Sequence, residues 1–102
     1  MPRFNIAIAG AGPAGVFAAI FAAENPNNSI TIYEKYDPLK TLLPTGGGRC
    51  NLAHFEFDLK ALAANFPRGE KFLYAVLSKF STADTIEFFE KIGVKTYTQE
   101  DM

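Results

Sequence analysis

The chain has a single cysteine and a single histidine among its 102 residues. One cysteine excludes an internal disulfide framework and suits a reducing, cytoplasmic compartment. There is no cluster of residue types with metal-ligand spacing, so no metal site is expected, and no arrangement of nucleophile, base and acid marks a hydrolase. Surplus charge is also missing: ten basic residues face eleven acidic ones, a net charge of −1. That balance gives no reason to expect nucleic acid or an anionic membrane as a partner. Long hydrophobic runs are absent as well. The apolar start of the chain is interrupted by Gly10, Gly12, Pro13 and Gly15. Neither piece reaches the ~20 residues of a membrane span, and the pattern is a poor match to a secretion signal. Internal repeats and low-complexity tracts are likewise wanting.

What remains is a globular composition, 48% hydrophobic and 14% aromatic with ten phenylalanines. Residues 4–9 (FNIAIA) are apolar nearly throughout, as a parallel strand covered on both faces would be. A glycine-rich turn follows. Pro13 then stands where the first turn of a helix tolerates its missing N–H. Residues 14–24, apolar on most sides, read as a largely buried helix, ended by Asn25-Pro26-Asn27-Asn28. Residues 29–33 (SITIY) form a second strand, β-branched and aromatic. Strand, helix and strand make a βαβ unit, with a right-handed crossover expected.

Beyond it, residues 35–57 read as loop with one helical turn near 38–42. Asp58 is placed to cap a helix over 59–65. Phe72, Leu73, Val76, Leu77 and Phe80 recur at helical spacing within 69–80, and the phenylalanine-rich run from Phe72 to Phe89 reads as core. Ser81-Thr82-Ala83-Asp84 has the form of a capping box opening a helix through Ile86, Phe89 and Ile92, stopped by Gly93. A short strand is expected over 94–98. The organisation that follows is a βαβ unit with a glycine-rich loop over residues 1–57 and a helical segment over 58–102.

Gly10-Ala11-Gly12-Pro13-Ala14-Gly15 matches G-x-G-x-x-G, and it joins a strand to a helix inside a βαβ unit, the context that gives the pattern weight. Gly10 permits the tight turn, Gly12 lets the backbone approach a pyrophosphate, and Gly15 lets helix and strand pack closely. The helix N-terminus offers unpaired N–H groups to phosphate. Glu34 ends the second strand, 19 residues beyond Gly15, where a carboxylate accepts hydrogen bonds from an adenosine ribose and repels a 2′-phosphate. The loop before Glu34 is about one residue longer than in the tightest such fingerprints, an excess expected to be absorbed at Asn27-Asn28. FAD and NAD remain open at this point.

A second glycine stretch, Thr45-Gly46-Gly47-Gly48-Arg49-Cys50-Asn51, separates them. It resembles the GGGRCN signature of the BaiN-like, aminoacetone-oxidase-like FAD-dependent oxidoreductases of bacteria. Phe66-Pro67-Arg68-Gly69, Lys71-Phe72-Leu73, Phe88-Phe89-Glu90 and Gly93-Val94 are similar to the same family's next segment. The resemblance covers nearly the whole chain and implies a Rossmann-like FAD-binding α/β fold whose sheet is incomplete here. It implies that Gly10, Gly12, Pro13, Ala14 and Gly15 hold the pyrophosphate of FAD, with Glu34 and Lys35 at the adenosine. Gly46, Gly47, Gly48, Arg49, Cys50 and Asn51 then run along the flavin. Consecutive small residues present several N–H groups to an anion or ring edge. Arg49 is suited to a phosphate or a flavin anion, and Asn51 both donates and accepts. Where the family often continues Asn-Leu-Thr-Asn, this chain has Asn51-Leu52-Ala53-His54, so the family's polar contacts from the last two positions do not carry over. Cys50 reads as a small filler rather than a redox thiol, and His54 as an ordinary loop residue.

Members of the family are several times longer. The expectation is therefore an FAD-binding N-terminal part of an oxidoreductase acting on a small organic substrate, inactive without the rest of the protein and with its catalytic residues elsewhere. Two competing readings are an NAD-linked dehydrogenase domain, separable by the flavin's visible absorbance, and a non-catalytic nucleotide-binding module.

Overall fold

In the computed structural model of the chain, residues 3–45 and 51–98 are described. They fall into two units, Met1–Asn51 and Leu52–Met102.

The first unit is the βαβ element. Strand β1 (Asn5–Ala9) and strand β2 (Ser29–Tyr33) pair in parallel, with Ile6 opposite Ile30 and Ile8 opposite Ile32. Because strand side chains alternate between faces, this register gathers four isoleucines on one side of the two-stranded sheet. Helix α1 (Pro13–Ala22) packs against both strands. The isoleucines are half-buried, whereas Asn5, Ala7, Ala9, Ser29, Thr31 and Tyr33 are exposed. The strand is thus covered on one face, not two, among the described residues. The expected burial of α1 is corrected in the same way: none of its residues is buried, and Ile20 is 44% exposed. Among the described residues of this unit, the helix has one two-stranded layer to bury against, and side chains such as Ile20 remain exposed.

Helix α1 stops two residues short of the expected Glu24. The Asn28 side-chain amide donates to the Ala22 carbonyl at 2.8 Å, and Asn28 N–H donates to the Asn25 carbonyl at 3.0 Å. Asn25–Asn28 therefore both terminate the helix and turn the chain into β2. After β2, residues 38–44 form successive turns closed by bonds such as Leu42 N–H to the Leu39 carbonyl, 3.1 Å.

The second unit is helical: α2 (Leu59–Ala63), α3 (Glu70–Lys79) and α4 (Thr82–Lys91). Asp58 caps α2, its carboxylate accepting from Ala61 N–H at 3.0 Å. Leu62 and Ala63 are its buried residues, and α2 packs on α3. Ser81 and Asp84 form the full capping box of α4. Ser81 Oγ accepts from Asp84 N–H at 3.2 Å, and Asp84 Oδ2 accepts from Ser81 N–H at 2.8 Å. These contacts hold the Asp84 carboxyl below the ordinary aspartate range, through the Ser81 backbone first and its hydroxyl second. Gly93 ends α4 at a φ of +94°. Its N–H reaches the Glu90 carbonyl and that of Val94 the Phe89 carbonyl, the two bonds of a Schellman motif.

Two expectations fail here. Residues 94–98 form no strand. Extended backbone becomes a strand only by pairing, and no described residue offers it a ladder. The face of α3 is also narrower than its spacing suggests. Phe72 is 70% and Val76 44% exposed, whereas Leu73, Leu77 and Phe80 are half-buried. Phe72 and Val76, four apart, form a separate stripe turned to solvent. No helix among the described residues is long and apolar enough to cross a membrane.

Candidate functional site

The turn between β1 and α1 is built from three glycines that do different work. Gly10 has a φ of +104°, a backbone shape that disfavours any side chain, and its N–H extends the sheet by donating to the Tyr33 carbonyl at 2.8 Å. Gly15 lies where a Cβ would overlap the Gly10 carbonyl oxygen and press on the Ile8 side chain. Its bareness is what lets α1 fold back onto β1. Gly12 is different. An added Cβ would meet nothing within 4 Å, and its φ of −79° suits any residue. The fold itself does not require glycine there; a ligand approaching the backbone would.

Gly12 is also the N-cap of α1, and no side chain caps the helix. Pro13 fills the first position, where the absent N–H is no loss. No acidic residue occupies the first turn. The N–H groups of Ala14 and Gly15 therefore stand in the part of the helix that lacks internal partners. With the positive end of the helix dipole, these backbone groups are suited to an anion. Open space over Gly12 and an uncapped helix end fit a pyrophosphate.

Glu34, at the end of β2, is brought directly to this turn. Its Oε1 accepts from Ala11 N–H at 2.8 Å and its Oε2 from Tyr36 N–H at 2.9 Å. These bonds hold the Glu34 carboxyl below its ordinary range, Tyr36 contributing most and Ala11 next. The group stays ionised at neutral pH, and it is exposed, so lone pairs remain for a ribose hydroxyl. Lys35 and Lys40 place their ammonium groups over the Tyr36 ring, 5.4 and 4.8 Å from its centroid. Lys35 thus stands beside Glu34.

Of the sequence-predicted residues, Gly10, Gly12, Pro13, Ala14, Gly15 and Glu34 come together around one turn, whereas Lys35 follows Glu34 with its ammonium over the Tyr36 ring. Asn51 is exposed. Gly46, Gly47, Gly48, Arg49 and Cys50 lie outside the described residues. Sequence reasoning missed Ala11 and Leu39. Ala11 is 3% exposed, and its carbonyl accepts from Leu39 N–H at 2.7 Å. As the variable position of the motif Ala11 carried no signal, and Leu39 sits in an unremarked loop.

Parallel strands, a crossover helix entered through a glycine turn, and an acidic residue at the end of the second strand define the βαβ unit of a Rossmann domain. The chain belongs to the HI0933-like family: the family's model, described as the HI0933-like protein Rossmann domain, matches residues 4–102. This is the family that the motifs at Gly10–Gly15 and Gly46–Asn51 resemble. The chain is 36% identical over 94 residues to a 3-dehydro-bile acid delta(4,6)-reductase of Clostridium scindens, covering 90% of this chain and 22% of the relative. It is 31% identical over 94 residues to a ribosomal RNA dihydrouridine synthase of Escherichia coli, covering 92% of this chain and 23% of the relative. The chain thus spans less than a quarter of the length of these curated relatives. No solved structure matches it.

Proposed function

We propose that the chain is the FAD-binding part of a cytoplasmic flavin-dependent oxidoreductase acting on a small organic substrate. The observation that carries this reading is the α1 N-terminus. It is uncapped, has no acidic residue in its first turn, and is fronted by a glycine whose missing side chain the fold does not need. The relatives support the same division of labour. Their names place a bile acid in one and ribosomal RNA in the other. A segment common to proteins with such different substrates serves what they share, and a dinucleotide is the ligand this turn fits.

The backbone N–H groups of Gly12, Ala14 and Gly15 would hold the pyrophosphate, and Glu34 and Lys35 would meet the adenosine. When bound, FAD supplies the redox chemistry. The contribution of this chain is to grip the nucleotide end by backbone rather than by side chains, leaving substrate contacts to the rest of the protein. The stretch from Gly46 to Asn51, with Arg49 as its cation, is proposed as the part nearest the flavin, and Cys50 as filler.

The test is the visible spectrum and cofactor mass of the protein expressed from its complete gene, beside Gly12→Val. The expected result is a flavin spectrum with FAD released on denaturation, and a colourless but folded variant. The Cβ that valine adds here has nothing within 4 Å, so its effect is expected on the ligand. NAD without flavin, or FAD retained undiminished by the variant, would refute the reading.

A further inference from the structure

The two peptide groups that flank Ala11 are each held by the same loop. Its N–H donates to Glu34 Oε1, and its carbonyl accepts from the N–H of Leu39. The other carboxylate oxygen of Glu34 is tied to Tyr36 N–H in the same loop. Ala11 itself is buried. Leu39 reaches its position with a φ of +59°, the one left-handed non-glycine residue among those described. That conformation is costly for a leucine, and such residues persist where the surroundings dictate them. Glu34 and Ala11 are 23 positions apart, so these bonds are tertiary and belong to no regular element.

We infer that Glu34 and Leu39 clamp the two peptides flanking Ala11, and that Glu34 is a positioning residue for the phosphate-binding turn as well as a group facing the ribose. A carboxylate is needed for this because only an ionised group accepts at both oxygens at once. The clamp fixes the chain between Gly10 and Gly12, the two residues with the greatest backbone freedom, before any nucleotide arrives. It also commits the Ala11 N–H to Glu34, so the anion is left with the N–H groups of Gly12, Ala14 and Gly15. In Glu34→Gln the amide keeps one acceptor oxygen and turns a donor toward the other N–H, which breaks the clamp on one side.

Two measurements on protein expressed from its complete gene test this. The first is amide exchange of Ala11 and Tyr36, the two N–H groups that Glu34 accepts from, in cofactor-free protein labelled at alanine and tyrosine, by nuclear magnetic resonance. Glu34→Gln leaves one of the two without its acceptor and should accelerate exchange there roughly tenfold or more, the effect of removing a hydrogen bond to a charged acceptor. The Ala14 amide, already without a helix partner, should not change. Unaltered rates at both Ala11 and Tyr36 would overturn the clamp. The second rests on the FAD reading and compares FAD with an analogue whose adenosine lacks both ribose hydroxyls. A residue serving only the ribose makes no difference to the analogue. The clamp requires Glu34→Gln to weaken both, again by about tenfold. Loss confined to FAD would overturn it. If the wild type binds neither, the FAD reading falls while the exchange measurement still decides the clamp. Should Glu34→Gln fail to fold, Glu34→Asp, charged but too short to span both N–H groups, takes its place with the same expected outcomes.

Discussion

The two units of the chain are held in opposite ways. In Leu52–Met102 the fixing contacts are short in sequence: Asp58 to Ala61, Ser81 to Asp84, Gly93 and Val94 back to Glu90 and Phe89. In Met1–Asn51 they are long: Gly10 to Tyr33, Ser29 to Phe4, Ala11 to Glu34 and to Leu39. Local contacts specify that a helix begins or ends, and they tolerate change because each is worth little by itself. Long contacts specify a shape that recurs nowhere else among the described residues. The glycine turn is built from the second kind, which is why its geometry depends on single atoms and single missing atoms.

The contrast is broken most severely at Gly15. A methyl group there overlaps the Gly10 carbonyl oxygen, a backbone atom that cannot swing aside, and meets Ile8 behind it. Gly15→Ala should cost about 3 kcal/mol, the upper end of what overpacking does, and displace α1 from the sheet. Chemical denaturation of the variant gives the number. A cost below about 1 kcal/mol would mean that the turn is softer than the long contacts imply.

How legible each unit was follows from the same contrast. Caps and stops announce themselves over four or five residues, so Asp58, the Ser81–Asp84 box and Gly93 could be placed from sequence alone. The glycine motif was equally legible in its own terms, since Gly10, Gly15 and Glu34 sit where the pattern puts them. What could not be read was anything needing knowledge of a missing or present neighbour. Residues 94–98 have the composition of a strand but no ladder among the described residues; α1 is apolar all round but has one sheet layer to pack on among the described residues of its unit. The Ala11 clamp was hidden for a related reason. Its partners lie 23 and 28 positions away, and alanine and leucine carry no chemical label for a backbone bond.

The next effect sharpens the contrast from the local side. Ser81→Ala removes the hydroxyl that accepts from Asp84 N–H and should cost about 1 kcal/mol. The Asp84 carboxylate still accepts from the backbone of residue 81, so half of the box survives. Acid should remove that half. The Asp84 carboxyl lies below its ordinary value in the folded chain, so its contribution is complete above the unfolded pKa of about 4 and is lost as pH falls through the lower folded one. Glu34 is depressed in the same direction, by Tyr36 and Ala11, and loses its contribution over a similar acid range. Melting temperatures of wild type and Ser81→Ala, followed from pH 7 to pH 2, should therefore both fall only below about pH 4.

The smallest effect belongs to Lys91 and Glu87, an i,i+4 pair at 3.1 Å near the end of α4 with side chains 74% and 62% exposed. Water screens both charges, and holding two long side chains in one geometry costs entropy. The pair also runs in the favourable direction, with the acid N-terminal to the base, and Lys91 sits where the helix dipole favours a cation. The two considerations leave about 0.5 kcal/mol or less for Lys91→Ala, and that should vanish in 1 M salt. A loss several times larger, insensitive to salt, would show that the Lys91 stem packs against something the short-range picture omits. The helical unit would then depend, like the glycine turn, on contacts that its own sequence neighbourhood does not reveal.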